Sequence, residues 1–555
     1  MALNRKLAYI DLGQKKTIVK EIPYEWRRKF LGGRGISAYL LFRHLPKGSD
    51  PLGPGNVVII STGVLGGTGF GPFECTGITS KSPLTGLSAF SPVTGHFAGE
   101  MRWAGFDHLV ITGKSRHPVY LYIHDGKIDF KTAKNLKGKS ISETLGNIRK
   151  DLLDEDVRAL VVGPAGENRV CFADVSTDCG HRAGRTGMGA VLGSKNIKAV
   201  VCRGARDVLV KRPVDLLAYQ KEIFDRLLPI IHLPHAPSTF EKNEVSIRDM
   251  TVNSFQRADR DSEMALRHLI AESGSDLFST RCILEWVLRL FQAGIITQKK
   301  IRDIPLSRNN IATHMEVVNR ITANKGIGTT LSLGPLGASK KLGKESLSCF
   351  PSVIELIQMY TEAVADPLAP AQRDISFLKV NNNAHEKSYP IKTTGMRVTD
   401  RCESGSIDRR TMGKMPGRKV SEMVANCLGF NGFHVPEDIL GMPLFSVYEK
   451  LLDLVTGLRV KKNDLAEIAH RCYATERLLN LRESSIHGRP ASITEAFDVP
   501  VGLRMTKSCW DGLELKTFQR LVSRYYKGKG WDRKSMVKLR FFKNLGIEDL
   551  WVLLK

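Results

Sequence analysis

The chain has ten cysteines, scattered, and no two of them stand at CxxC spacing. A disulfide framework is therefore not expected. The expectation is an intracellular reducing compartment, cytoplasm or mitochondrial matrix. No apolar run approaches the roughly 20 residues that a membrane span requires. Residues 1–15 (MALNRKLAYIDLGQK) lack the apolar core of a signal peptide, so a cleaved presequence is not expected within this numbering. No internal repeat recurs at a fixed period. Acidic residues are few: 57 against 82 Lys and Arg, a net charge of +25. Such an excess suits a polyanionic partner, nucleic acid or an acidic protein surface, although a solvated basic surface alone is common.

What is present suffices for several domains. The chain has 555 residues, 42% of them hydrophobic, which gives a length prior of about three or four domains. Residues 1–208 read as mostly β. Short apolar or alternating runs (Ala8–Leu12, Asn56–Ser61, His108–Thr112, Val119–His124, Ala159–Val162, Ala199–Cys202) are separated by Gly/Pro turns. From about residue 209 the period becomes helical, in Pro213–Leu227, Ser262–Ser273, Thr280–Ala293, Thr313–Asn324, Leu444–Val455, Lys462–Leu481 and Leu513–Tyr526. Ala369–Met415 has weak periodicity and reads as irregular. The expected fold class is α+β. A β-rich domain (1–208) is followed by two mostly helical domains (209–375 and 376–555), the last with a basic tail.

The densest signal is Gly163–Val200, GPAGENRVCFADVSTDCGHRAGRTGMGAVLGSKNIKAV. Glycines at this density permit tight turns and close backbone approach, and free N–H groups beside Arg182 and Arg185 suit a phosphate. Glycine count alone favours a plain turn between strands. The wording says more. HRAGRTGMGAVLGSKNIKAV resembles a segment of the aldehyde:ferredoxin oxidoreductase family, the tungsten–pterin enzymes. Leu31-Gly-Gly-Arg-Gly35, Ser82-Pro-Leu-Thr-Gly86, FAGEMRWAGFD (Phe97–Asp107) and Gly163-Pro-Ala-Gly-Glu-Asn168 match family signatures in family order. The resemblance implies an N-terminal domain of two β-sheets forming a base under two pterins. It carries over vestigial pterin contacts to Arg182, Arg185, Gly187, Gly189, Gly193, Glu272, Gly274, Asp276 and Gly429.

The family's chemical motifs are changed. It binds an iron–sulfur cluster through a CxxCxxxC motif, and between Cys202 and Cys282 this chain has no cysteine. The fourth thiolate belongs to a DxxGLC-type motif. The matching stretch is Asn426-Cys-Leu-Gly-Phe-Asn431, with amides in place of the acid and the cysteine and with Cys427 out of register. The partner motif is Ala271-Glu-Ser-Gly-Ser-Asp276, followed by Arg281-Cys282 in place of a small pair. Arg281 is expected either to bind pterin phosphate or to fill the pocket. Pro92 stands where the family places a magnesium-binding Asn, and Glu74 or Cys75 near a family arginine. Gly405 stands near the family's proton-donating His, with Glu403, Asp408, His385 and His434 as out-of-register substitutes.

Residues 503–543 hold 12 Lys/Arg against 3 acids, with aromatics interleaved. Lys516, Arg520, Arg524, Lys527, Lys529, Arg533, Lys534 and Lys538 form a candidate partner or nucleic-acid surface. The preferred reading is a catalytically inactive relative with no cofactor. It would be a structural subunit of a larger assembly, with RNA as a candidate partner and an organellar ribosome as an example. The alternative is a tungsten or molybdenum bis-pterin oxidoreductase subunit without its own 4Fe-4S cluster, handing electrons to a partner. A third reading is a pocket for another phosphate-bearing ligand on the Gly163–Gly193 loops.

Overall fold

The computed structural model describes residues 5–69, 74–231, 260–297, 310–351, 359–360, 417–430, 443–487, 527 and 538–554. The first two hundred residues carry twelve strands: β1 (Lys6–Asp11), β2 (Lys16–Glu21), β3 (Val58–Thr62), β4 (Cys75–Lys81), β5 (Ser88–Thr94), β6 (His108–Thr112), β7 (Val119–His124), β8 (Lys127–Thr132), β9 (Arg158–Val162), β10 (Val175–Thr177), β11 (Arg182–Ala183) and β12 (Ile197–Arg203). Helices α1 (Tyr24–Phe30), α2 (Gly33–His44), α3 (Phe97–Trp103), α4 (Ile141–Leu152), α5 (Pro164–Glu167) and α6 (Met188–Ser194) lie between them.

The strands form two six-stranded sheets, ordered β2-β1-β6-β3-β4-β5 and β8-β7-β12-β9-β10-β11. Each contains one parallel pair, β1 with β6 in the first and β7 with β12 in the second. The other neighbours are antiparallel. The second sheet thus repeats the first strand for strand, β1 corresponding to β7 and so on to β6 and β12. No sequence repeat announces this duplication.

Alternation along the strands builds the layers. Ala8, Ile10, Val58, Ile60, Leu160, Val162, Val200 and Cys202 point into one core between the sheets. Their neighbours Leu7, Val57 and Ile59 face the helices outside the first sheet. Ala159, Val161, Ala199 and Val201 face α4 outside the second. Helix α4 starts at a capping box in which Ser140 and Glu143 satisfy each other's main-chain N–H groups.

The helical part comprises α7 (Pro213–Ile231), α8 (Arg260–Ser273), α9 (Leu277–Gln292), α10 (Ile311–Ala323), α11 (Gly328–Leu331), α12 (Gly334–Leu342), α13 (Gly417–Leu428), α14 (Leu444–Thr456), α15 (Lys462–His487), α16 (Leu539–Leu545) and α17 (Glu548–Leu554). Helices α8 to α12 share a core with Ala165, Val170 and Phe172 of the second half. Helices α13 to α17 share one with α2 and the first sheet. The α+β class holds. The mostly-β reading of the first 208 residues missed their helices. Leu513–Tyr526 and Ala369–Met415 lie outside the described residues.

Candidate functional site

Two equivalent docks join the helical part to the sheets. Gly63 follows β3 and Gly163 follows the corresponding strand β9. The turn after α13 sets Gly429 (φ 95°) against Gly63, and a Cβ on Gly63 would stand 2.0 Å from the Gly429 nitrogen. The turn after α8 sets Gly274 (φ 71°) against Gly163, where a Cβ would stand 2.4 Å from the Ser273 oxygen. Only glycine permits backbones to meet this closely. The main-chain bonds repeat too. Cys75 N–H donates to Gly429 O (2.8 Å) and Asp174 N–H to Gly274 O (2.9 Å). Isolated bridges pair Glu74 with Phe430 and Ala173 with Ser275.

The Gly-rich segment packs around the second dock. Gly189 and Gly193 allow the main chain of Asp174 and of Gly166 to approach, with virtual Cβ distances of 2.0 and 2.1 Å. Gly187 (φ 77°) lies against Cys171 O and Pro83. Arg182 donates to Asp174 Oδ2 at 3.0 Å, and the Arg185 guanidinium stacks 4.3 Å from the Phe278 ring. Asp276 caps α9 by accepting the Ser279 N–H (2.8 Å), and its carboxylate abuts Gly184. Burial pushes the Asp174 carboxyl above its ordinary range, Arg182 opposes this, and Asp276 adds to it.

Five buried polar atoms on these converging segments have no hydrogen-bond partner among the described residues: Thr62 Oγ1, Asp174 Oδ1, Thr186 Oγ1, Ser279 Oγ and Asn426 Oδ1. Buried polar groups rarely go unpaired. Three of them belong to the second dock, and Thr62 and Asn426 to the first.

Other expected positions serve elsewhere. Glu272 accepts Ser142 N–H (2.9 Å) and Oγ–H (2.6 Å) at the start of α4. Arg281 pairs with Glu263 of α8 at 2.5 Å, which places an ion pair where the resemblance allowed a phosphate contact or a filled pocket. Glu74 accepts the Gly67 N–H (3.0 Å). Pro92 sits in β5 opposite Gly77, on an edge strand of the first sheet. Cys427 is buried against Cys472 beneath Gly35. Among the described residues no group of three or more His, Cys, Asp or Glu is placed to hold a metal. Asn431, Glu403, Gly405, Asp408, His385 and His434 lie outside the described residues. So do Lys516, Arg520, Arg524, Lys529, Arg533 and Lys534, while Lys527 and Lys538 are exposed.

Sequence reasoning missed the seam between the first sheet and α15. Arg34, at the start of α2, makes a bidentate pair with Glu476 (2.8 and 3.0 Å) and lies between the Phe90 and Tyr473 rings. Lys81 pairs with Glu483 at 2.6 Å, both 1% exposed. Asn480 accepts the Ser88 N–H at 2.8 Å. Glu476, Asn480 and Glu483 recur at helical spacing, a polar stripe inside an apolar pattern. That stripe was the available signal. It also missed Gly63, which mirrors Gly163.

The duplicated sheets, the paired glycine docks and the helical cover define an α+β oxidoreductase fold. The chain belongs to the aldehyde ferredoxin oxidoreductase family. The family's N-terminal domain matches residues 7–204, and its domains 2 and 3 match residues 251–547. The chain is similar to the tungsten-containing aldehyde ferredoxin oxidoreductase of Pyrococcus furiosus, at 26% identity over 619 aligned residues and 98% of each chain. It is similar at 25% identity to that of Thermococcus kodakarensis, over 97% of this chain and 98% of the relative. The WOR-like subunit of aliphatic sulfonate oxidoreductase from Pyrococcus furiosus is 34% identical over 243 residues, 40% of this chain and 39% of that one. The active site complex BamBC of benzoyl coenzyme A reductase shares the fold, with a TM-score of 0.78 and 20% identity over 100% of this chain and 98% of that chain.

Proposed function

We propose that the chain is the pterin-binding subunit of a tungsten- or molybdenum-dependent oxidoreductase that relies on a partner for electron transfer. The observation that carries this reading is the twofold-duplicated dock. A bis-pterin ligand has two like halves, and two like backbone docks suit it. The unpaired atoms Asp174 Oδ1, Thr186 Oγ1, Ser279 Oγ and Asn426 Oδ1 are what the polar edges of pterin rings would satisfy. Gly163, Gly187 and Gly189 bring the protein's own segments close together at the second dock. Arg182 and Arg185 supply positive charge, and Asp276 orients the start of α9. When bound, the metal–pterin group supplies the redox chemistry. The chain's part is to bind and orient it.

The iron–sulfur cluster does not fit the same way. The thiolates at family spacing are missing from the sequence, and Cys427 is turned into a packed pair with Cys472. Electrons would leave through a second protein, in keeping with relatives named as a WOR-like subunit and as a BamBC complex.

A second reading keeps the fold without the chemistry: a non-catalytic structural subunit in a larger, RNA-containing assembly. The net charge of +25 and the lost thiolates favour it. Elemental analysis separates the two. Near-stoichiometric tungsten or molybdenum in the purified full chain, with pterin released on oxidation, supports the first. Metal-free chain from cells that load another family member sinks it in favour of the second.

A further inference from the structure

We propose that a second surface, at the edge of the first sheet opposite β5, binds nucleic acid through its phosphodiester backbone. It is built from β2, α1 and α16. Lys15, Lys16, Lys20, Arg28, Arg540 and Lys543 are exposed there. None of the six makes an ion pair among the described residues.

Contacts show that the elements carrying these cations are neighbours. The Lys20 ammonium lies 5.7 Å from the Tyr9 ring, which lies 5.1 Å from the His44 ring at the end of α2. Arg43 beside it stacks 5.9 Å from Trp26 of α1. Arg471 donates to Lys29 O (2.8 Å) and Leu545 O (2.5 Å), tying the end of α1 to the end of α16. Both helices present cations at their C-termini, where the helix dipole favours them. Burial first, then Arg43 and Lys20, lowers the His44 pKa, so both cations act on one point. The acids on this face are Asp11, opposite Lys16 in the β1–β2 register, Glu21, Glu25, Glu548 and Asp549. Asp549 is taken up by Arg43 (3.5 Å) and by the Tyr39 hydroxyl (2.5 Å).

The chemistry favours nucleic acid. Lys16 and Lys20 share one side of a strand about 13 Å apart, too far to close on one small anion, so a partner carrying several anionic groups suits them. Tyr24 is 43% exposed, with Arg27 5.8 Å from its ring. An open ring beside cations suits base stacking, which neither an anionic membrane nor an acidic protein needs. Exposed Lys538 immediately precedes α16.

The test is fluorescence anisotropy of the full chain with labelled RNA and DNA single strands of about 20 nucleotides, at salt from about 50 to about 200 mM. The triple variant Lys16→Glu/Lys20→Glu/Arg28→Glu is compared with the equally charged Lys325→Glu/Lys340→Glu/Lys341→Glu. Thermal melts check that both fold. The face variant should lose binding about tenfold or more and flatten the salt slope, with the control within about twofold of the parent. The RNA and DNA arms identify the natural source. Equal loss in both variants, no binding by the parent at about 50 mM salt, or binding to phosphatidylserine vesicles but not to oligonucleotides would overturn the proposal.

Discussion

Lys195 is a fully buried lysine with no carboxylate partner among the described residues. Its ammonium donates to Gly113 O (2.9 Å) and Pro54 O (3.2 Å). Burial pulls its pKa from 10.5 down to about 8. Between those values the unfolded chain holds a proton that the folded chain has released. Stability therefore rises as pH goes from about 8 to 10.5, and below 8 the buried charge is a constant cost of about 3 kcal/mol. Urea midpoints of the parent should rise across that window, and Lys195→Met should lose most of the rise. His108 has the same sign in a lower pH window. Burial lowers its pKa to about 4, so its contribution is full above about 6.5 and is lost as pH falls toward 4. A Lys195→Met protein that keeps the parent's alkaline slope would show that another group titrates there.

At the scale of elements, α2 and α15 are held by Arg34 and Glu476. Both are buried, and breaking such a pair strands a charge, at about 3–5 kcal/mol. Glu476→Gln and Arg34→Met should each lower the urea midpoint strongly. The double variant Arg34→Met/Glu476→Leu should recover most of the loss, because it removes both charges. Two losses that simply add would mean that the pair contributes no coupling. These elements also show what the sequence made legible. Strands β6 and β7 were read to their end residues, because apolar runs flanked by turn residues carry a clear signal. Helices α8, α9, α10, α14 and α15 were placed within a few residues at most ends by their 3.6 period. α2 was not read. Gly33 to Phe42 are all buried, so no polar face marks the helical period, and Gly33 and Gly35 lower its propensity. Of the site, Gly163, Gly274 and Gly429 were legible through motif wording. The roles of Glu272 and Arg281 were not, because their partners Ser142 and Glu263 lie on other helices.

For the whole molecule the duplication has a consequence that one-sided substitutions expose. Gly63 and Gly163 have no positive φ, so an alanine at either position meets only the approaching backbone. Each change should cost about 2–4 kcal/mol, and the two costs should be similar because the docks are built alike. Gly146 in α4 is the control. Nothing lies within 4 Å of its virtual Cβ, and an alanine there should stabilise by about 0.5–1 kcal/mol. Ligand content then asks a different question of the same variants. If one ligand of two like halves spans both docks, Gly63→Ala alone should lower bound pterin as far as Gly63→Ala/Gly163→Ala does, because losing either seat frees the whole molecule. If only Gly163→Ala lowers it, the first dock is architecture and the second alone holds ligand. That outcome would confine the binding function to the half of the molecule that holds Asp174, Thr186 and Ser279.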